Sequence, residues 1–137
     1  MTDIYNNPLI TRYSSREMAE NFSDDKKFRL WRKLWIALAE SEKELGLNIT
    51  EEQINDLKKY ENDINYSVAE AFEKEVRHDV MSHVKAYGAQ AVKAAGIIHL
   101  GATSCYVGDN TDVIILREAS KIVLKKAAQV VKNLSGF

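Results

Sequence analysis

"TDVIILREASKIVLKKAAQVVKNL", residues 111–134, contains neither proline nor glycine. Its apolar side chains Val113, Leu116, Ile122, Val123, Val130 and Leu134 recur at a helical period. At about 1.5 Å per residue the stretch makes a helix about 35 Å long, more than a compact domain built from the preceding residues needs. Its apolar face therefore lacks enough partners within the chain. Either the chain self-associates as a helical bundle, or the sequence is a piece of something longer. In both cases residues 111–137 read as the beginning of a structural unit distinct from residues 1–110.

The rest of the chain follows the same habit. One proline and six glycines among 137 residues leave little punctuation, which favours long helices over many short strands and sets the expected fold class as all-α. Residues 1–13, "MTDIYNNPLITRY", lack a helical period and read as an extended arm. Ser14 with Glu17 has the spacing of a capping box and predicts a short helix over about 15–22. Ser23, Asp24 and Asp25 predict a second start, because oxygen acceptors and negative charge suit the positive end of a helix. From there Phe28, Trp31, Trp35, Leu38 and Leu45 share one face, and Gly46 follows as a C-cap. Thr50 with Gln53 and Ser67 with Glu70 repeat the capping-box spacing before two short helices. After Arg77-His78-Asp79, the residues Val80, Val84, Tyr87 and Ala91 line a further helix up to Gly96.

Composition narrows the function. Nineteen basic residues stand against twenty acidic ones, mixed along the chain, so no basic face suits a nucleic-acid backbone. The single cysteine cannot form an internal disulfide, and no stretch resembles a signal peptide or a membrane span of about 20 apolar residues. A cytoplasmic protein that binds neither nucleic acid nor membrane is the expectation.

Three places set hydroxyl or basic side chains at the start of a helix: Arg12-Tyr13, Arg77-His78-Asp79 and Thr103-Ser104. Helix N-termini offer unpaired N–H groups and a positive dipole end, so each is a natural anion site. Brought together, they would hold a molecule with several negative groups. Each also has a plain structural use, as an arm anchor or a turn former. His78 beside Asp79 has the residue types for acid or base work. His83 lies five residues on, about 140° around a helix, which disfavours a zincin-like metal site. His99 in "IIHL" reads as a buried, hydrogen-bonded histidine, and Cys105 as a small buried apolar residue. "GIIHLGAT" has the glycine spacing of a P-loop but places Ala102 where lysine would reach the phosphates. "GATSCYVG" lacks the hydrolase elbow pattern.

"TRYSSREM" (11–18), "RHDVMSHV" (77–84) and "AAGIIHLGATSCYVGDNTD" (94–112), in this order and spacing, resemble the adenylosuccinate lyase family of the fumarase/aspartase superfamily. The resemblance covers essentially the whole chain, but roughly the first third of such an enzyme. It implies an N-terminal helical domain over residues 1–110, followed over 111–137 by the first long helix of a central bundle domain, within a homotetramer. The family's enzymes cleave adenylosuccinate to AMP and fumarate, and succinyl-aminoimidazole-carboxamide ribotide to its carboxamide and fumarate, by β-elimination without a metal or organic cofactor.

By that resemblance Arg12 and Tyr13 bind the substrate phosphate, Arg77, His78 and Asp79 line the site, and Thr103 and Ser104 hold the succinyl carboxylate. His78 is a candidate acid or a substrate-positioning group. A histidine in a later "THxQPA"-type motif competes for the acid role, and a serine on a later loop is the favoured base. Neither motif occurs in this chain, which is therefore expected to be inactive alone. Two alternatives are another fumarate-releasing lyase, such as one acting on argininosuccinate, and a non-catalytic helical module that joins a partner through its last helix.

Overall fold

The computed structural model describes residues 7–137, and every element among them is helical. After a π-helical turn at Leu9–Tyr13 come α1 (Arg16–Asn21), α2 (Asp24–Glu44), α3 (Glu51–Lys59), α4 (Tyr66–Val76) and α5 (Asp79–Gln90). A 3₁₀ turn at Val92–Ala94 precedes α6 (Ser104–Leu134). Among the described residues no helix is long and apolar enough to cross a membrane. The chain divides into two compact units, one of Phe28–Thr111 and one that joins the described residues up to Lys27 with Asp112–Phe137.

In the Phe28–Thr111 unit the core forms where α2, α3 and α5 turn their apolar faces together. Trp31, Trp35 and Ala39 of α2 meet Ile54 and Leu57 of α3, Val80 and Tyr87 of α5, and Val107 of α6. The expected α2 face holds at Trp31 and Trp35, but Leu38 is only half-buried and Leu45 is 82% exposed. Ile36 and Arg32 are buried in their place. Ser23 Oγ accepts from Lys26 N–H at 3.2 Å to open α2. Its end is a Schellman arrangement, with Leu47 N–H donating to Glu42 O and Gly46 N–H to Lys43 O. Gly46 has φ +92°, the left-handed conformation that a side chain would strain.

Several boundaries differ from the expected ones. Thr50 and Gln53 do form a reciprocal capping box. α4, however, is capped by Asn65, whose Oδ1 accepts from Val68 N–H at 3.2 Å, and the hydroxyl of Ser67 only supports that cap. α5 stops at Gln90, because Ala91, Ala94, Ile97 and Ile98 leave helical register to fill the core. α6 begins at Ser104, seven residues before Thr111. The burial of Val107 and the Tyr106 hydroxyl bond to Leu34 O (2.9 Å) outweigh the poor helix propensity of Gly108, Asp109 and Asn110.

In the other unit the extended arm is replaced, over the residues described, by the π-helical turn. Asn7 Oδ1 accepts from Leu9 N–H at 2.9 Å, Pro8 has φ −63°, and Ser14 N–H closes the turn on Leu9 O. Asn7-Pro8 thus starts a helical turn, the N-terminal use that proline's fixed φ and missing N–H favour. Residues 1–6 of the expected arm lie outside the described residues. α1 is capped by Ser15 Oγ, one residue later than expected. Asn21 at its end is buried and donates Nδ2–H to Ile115 O at 2.9 Å.

Candidate active site

α4 ends when Arg77 adopts a left-handed conformation (φ 50°), and the chain re-enters helix at once with His78 as the N-cap of α5. His78 Nδ1 accepts the Met81 N–H at 3.3 Å, replacing the usual capping oxygen. With Nδ1 occupied as an acceptor, the neutral ring carries its proton on Nε2. Nε2 lies 3.2 Å from Ser104 Oγ, at the first residue of α6. Residues twenty-six apart in sequence are therefore in contact, and the N-termini of two helices meet at the contact. The first turn of α6 has no acidic residue to offset its positive dipole end. Backbone N–H groups, an imidazole N–H and a serine hydroxyl so placed suit an anion such as a carboxylate.

A second histidine stands at this junction. His99 takes a left-handed conformation (φ 65°), and its Nδ1 accepts the indole N–H of Trp35 at 3.1 Å. The hydrogen bond matches expectation, but the ring is half-buried and not enclosed. Its Nε2–H remains as a donor. Burial, and then the nearby His78, hold the His99 imidazole below its usual range. The neutral donor form is thereby favoured. The sequence marked His99 as structural because of its apolar neighbours. The signal that could have drawn it into the site is its position at the head of the glycine-containing turn that delivers Thr103 and Ser104.

The other expected residues take varied positions. Asp79 Oδ1 lies 3.7 Å from His78 Nδ1 and accepts from Val80 N–H at 2.8 Å, which fixes the carboxylate at the mouth of α5. Thr103 is exposed, and its carbonyl accepts from Tyr106 N–H. Arg77 is exposed beside His78 in sequence, on the αL residue that separates α4 from α5. Arg12 and Tyr13 belong to the other unit, where the Arg12 guanidinium lies over the Tyr13 ring at 5.6 Å. Tyr13 is 71% exposed. Cys105, expected to be buried, is exposed in the first turn of α6.

No family model matches the chain. Curated relatives do. The chain is 52% identical to the adenylosuccinate lyase of Schistosoma mansoni, over 96% of its own length and 27% of that protein's. It is 47% identical to the adenylosuccinate lyase of Saccharomyces cerevisiae, over 98% of its own length and 29% of the other. With the Schizosaccharomyces pombe enzyme of the same name it shares 46%, over 96% of its length and 28% of that protein's. The match falls in the N-terminal part of these relatives, and the chain spans little more than a quarter of their length.

Proposed function

We propose that this chain, whose homologues at 44–52% identity all carry the name adenylosuccinate lyase, supplies the anion-holding part of an active site that releases fumarate from adenylosuccinate. The observation that carries the reading is that nearly the whole chain matches part of relatives of a single name; the contact of His78 with Ser104 supports it. In this reading Thr103 and Ser104, with the N–H groups that open α6, hold the succinyl carboxylate on which negative charge builds as the carbon-bound proton leaves. His78 offers Nε2–H to the same anion or to the departing nitrogen, and Asp79 and Arg77 line the approach. Arg12 and Tyr13 bind the substrate phosphate, a bidentate guanidinium contact backed by a phenol. The succinyl-aminoimidazole-carboxamide ribotide presents the same succinyl group and phosphate, and is the second substrate. The active form is a cytoplasmic homotetramer. Argininosuccinate is not favoured, because the relatives share one name.

The base that removes the proton is assigned to the part of the relatives that this chain does not span. The chain alone is therefore expected to release no fumarate. The test joins residues 1–137 to the remaining sequence of the S. cerevisiae relative and follows fumarate release from adenylosuccinate. The chimera is expected to be active, and His78→Ala within it to lower kcat by about 10²-fold or more. A folded, tetrameric chimera without activity, or one indifferent to His78→Ala, would overturn the assignment.

A further inference from the structure

Glu42 is a charged side chain that the proposed chemistry does not use, and its position is unusual. It stands in the last turn of α2, where the helix carbonyls make the potential negative and a carboxylate is disfavoured. Its Oε1 faces the side of Gly101 left open by the missing side chain, 3.5 Å from where a Cβ of that residue would be. Its Oε2 is enclosed and has no hydrogen-bond partner. Among the described residues the carboxyl has no cation to offset it: Lys43, next along α2, is paired with Glu51. Tyr106, two residues past Ser104, donates its hydroxyl to Leu34 O. Other titratable groups near the turn are His99 at its head, Cys105 beside Ser104, and His78 with Asp79 beyond it.

We propose that Glu42 is a positioning residue that couples the Gly101–Ser104 turn to a proton. As a neutral acid, its carboxyl packs against Gly101 and leaves the turn in the form that sets Ser104 against His78. As a carboxylate, it brings an uncompensated negative charge against a turn that closes an anion-holding site. Two like charges would then face one turn, so an anion at the turn and a proton on Glu42 favour each other. Burial already pushes the Glu42 carboxyl above its ordinary value of 4.5, as this geometry requires. Tyr106 registers the same carboxyl: its phenol is raised by burial first and by Glu42 second. The inference rests on the anion-holding reading of the turn only for its functional consequence. The conformational coupling stands without it.

The test is a pH titration of the 137-residue protein by NMR, without any ligand, that follows the Glu42 side-chain carboxyl carbon and the Gly101 and Ala102 backbone amides. The expected result is a Glu42 midpoint above the ordinary carboxylate value, with the two amides changing at that same midpoint. In Glu42→Gln the amide transition is expected to vanish, the shifts holding their acid-limit values throughout. Glu42→Met, apolar and similar in volume, gives the same flat profile and serves should the glutamine variant fail to fold. A Glu42 that does not act on the turn would titrate with neither amide following its midpoint. Amides that titrate apart from Glu42, or that still titrate in both variants, would assign the transition to another group and overturn the proposal.

Discussion

His99 is fixed by one bond, from the Trp35 indole to Nδ1, and that bond has a consequence for stability. The proton acceptor it occupies is one the unfolded chain leaves free. Because the folded ring is held below its ordinary value of 6.5, the unfolded state binds more protons between the two values. The contribution of His99 is therefore fully present above about 6.5 and is lost as the pH falls through that value toward the folded one. Urea midpoints measured between pH 7.5 and 5 are expected to fall less in His99→Gln than in the parent; equal slopes would show that His99 has no part in the loss. Single residues were unevenly legible in the sequence. His78, Thr103 and Ser104 were marked by residue type and by helix starts, and their contact by nothing in the spacing. Nothing in the spacing marks Arg32. It is buried, with Nη1 donating to the carbonyls of Tyr60 and Asp63, Nη2 to Gln90 Oε1, and the guanidinium 4.2 Å from the Tyr87 ring centroid. A charge inside the apolar face of α2 looks like a surface residue until the loop that surrounds it is known.

Helix starts are where local chemistry speaks most plainly, and also where two candidate caps compete. Thr50 and Gln53 could be read directly, since both halves of a capping box lie within four residues and need no tertiary partner. Ser67 with Glu70 offered the same spacing, yet Asn65 takes the cap and Ser67 donates to it. The asparagine side chain reaches the Val68 N–H from a residue already outside the helix, and so lengthens α4 by two residues toward its N-terminus. Removing it should cost about 1 kcal/mol, the usual loss when an N-cap becomes alanine. Ser67→Ala removes one exposed bond to the cap and should cost clearly less. Denaturation midpoints of the two variants test the order, and a larger loss for Ser67→Ala would return the cap to the serine. The start of α6 could not be placed in this way. Gly108, Asp109 and Asn110 argue locally against helix, and the burial of Val107 and Thr111, with the Tyr106 bond to Leu34 O, reverses them.

At the scale of the whole molecule, burial along α6 runs out. Val107, Thr111 and Ile115 are only 0%, 1% and 7% exposed, whereas every residue from Val123 onward is exposed. Val123, Leu124, Val130, Val131 and Leu134 present apolar surface with nothing against it. The sequence announced this condition, because a long period-matched apolar face without matching partners is visible from spacing alone. It could not say what covers the face. A stretch of that length held only by its own hydrogen bonds is marginal in water, since isolated helices shorter than about 12–15 residues rarely persist. Hydrogen exchange on the 137-residue protein should therefore show a gradient. Amides from Val107 to Ile115 should exchange near the rate of global unfolding, and those from Val123 to Leu134 much faster, through local fraying. Replacing Val123 and Val130 with serine should leave the slow group unchanged, because neither side chain contributes to the core. Slow exchange along the whole of α6, in a protein that sediments as a monomer, would mean that the helix is stabilised by something other than tertiary burial. The same slow exchange in a protein that sediments as an oligomer, lost together with the association in the double serine variant, would mean that a second copy covers the face.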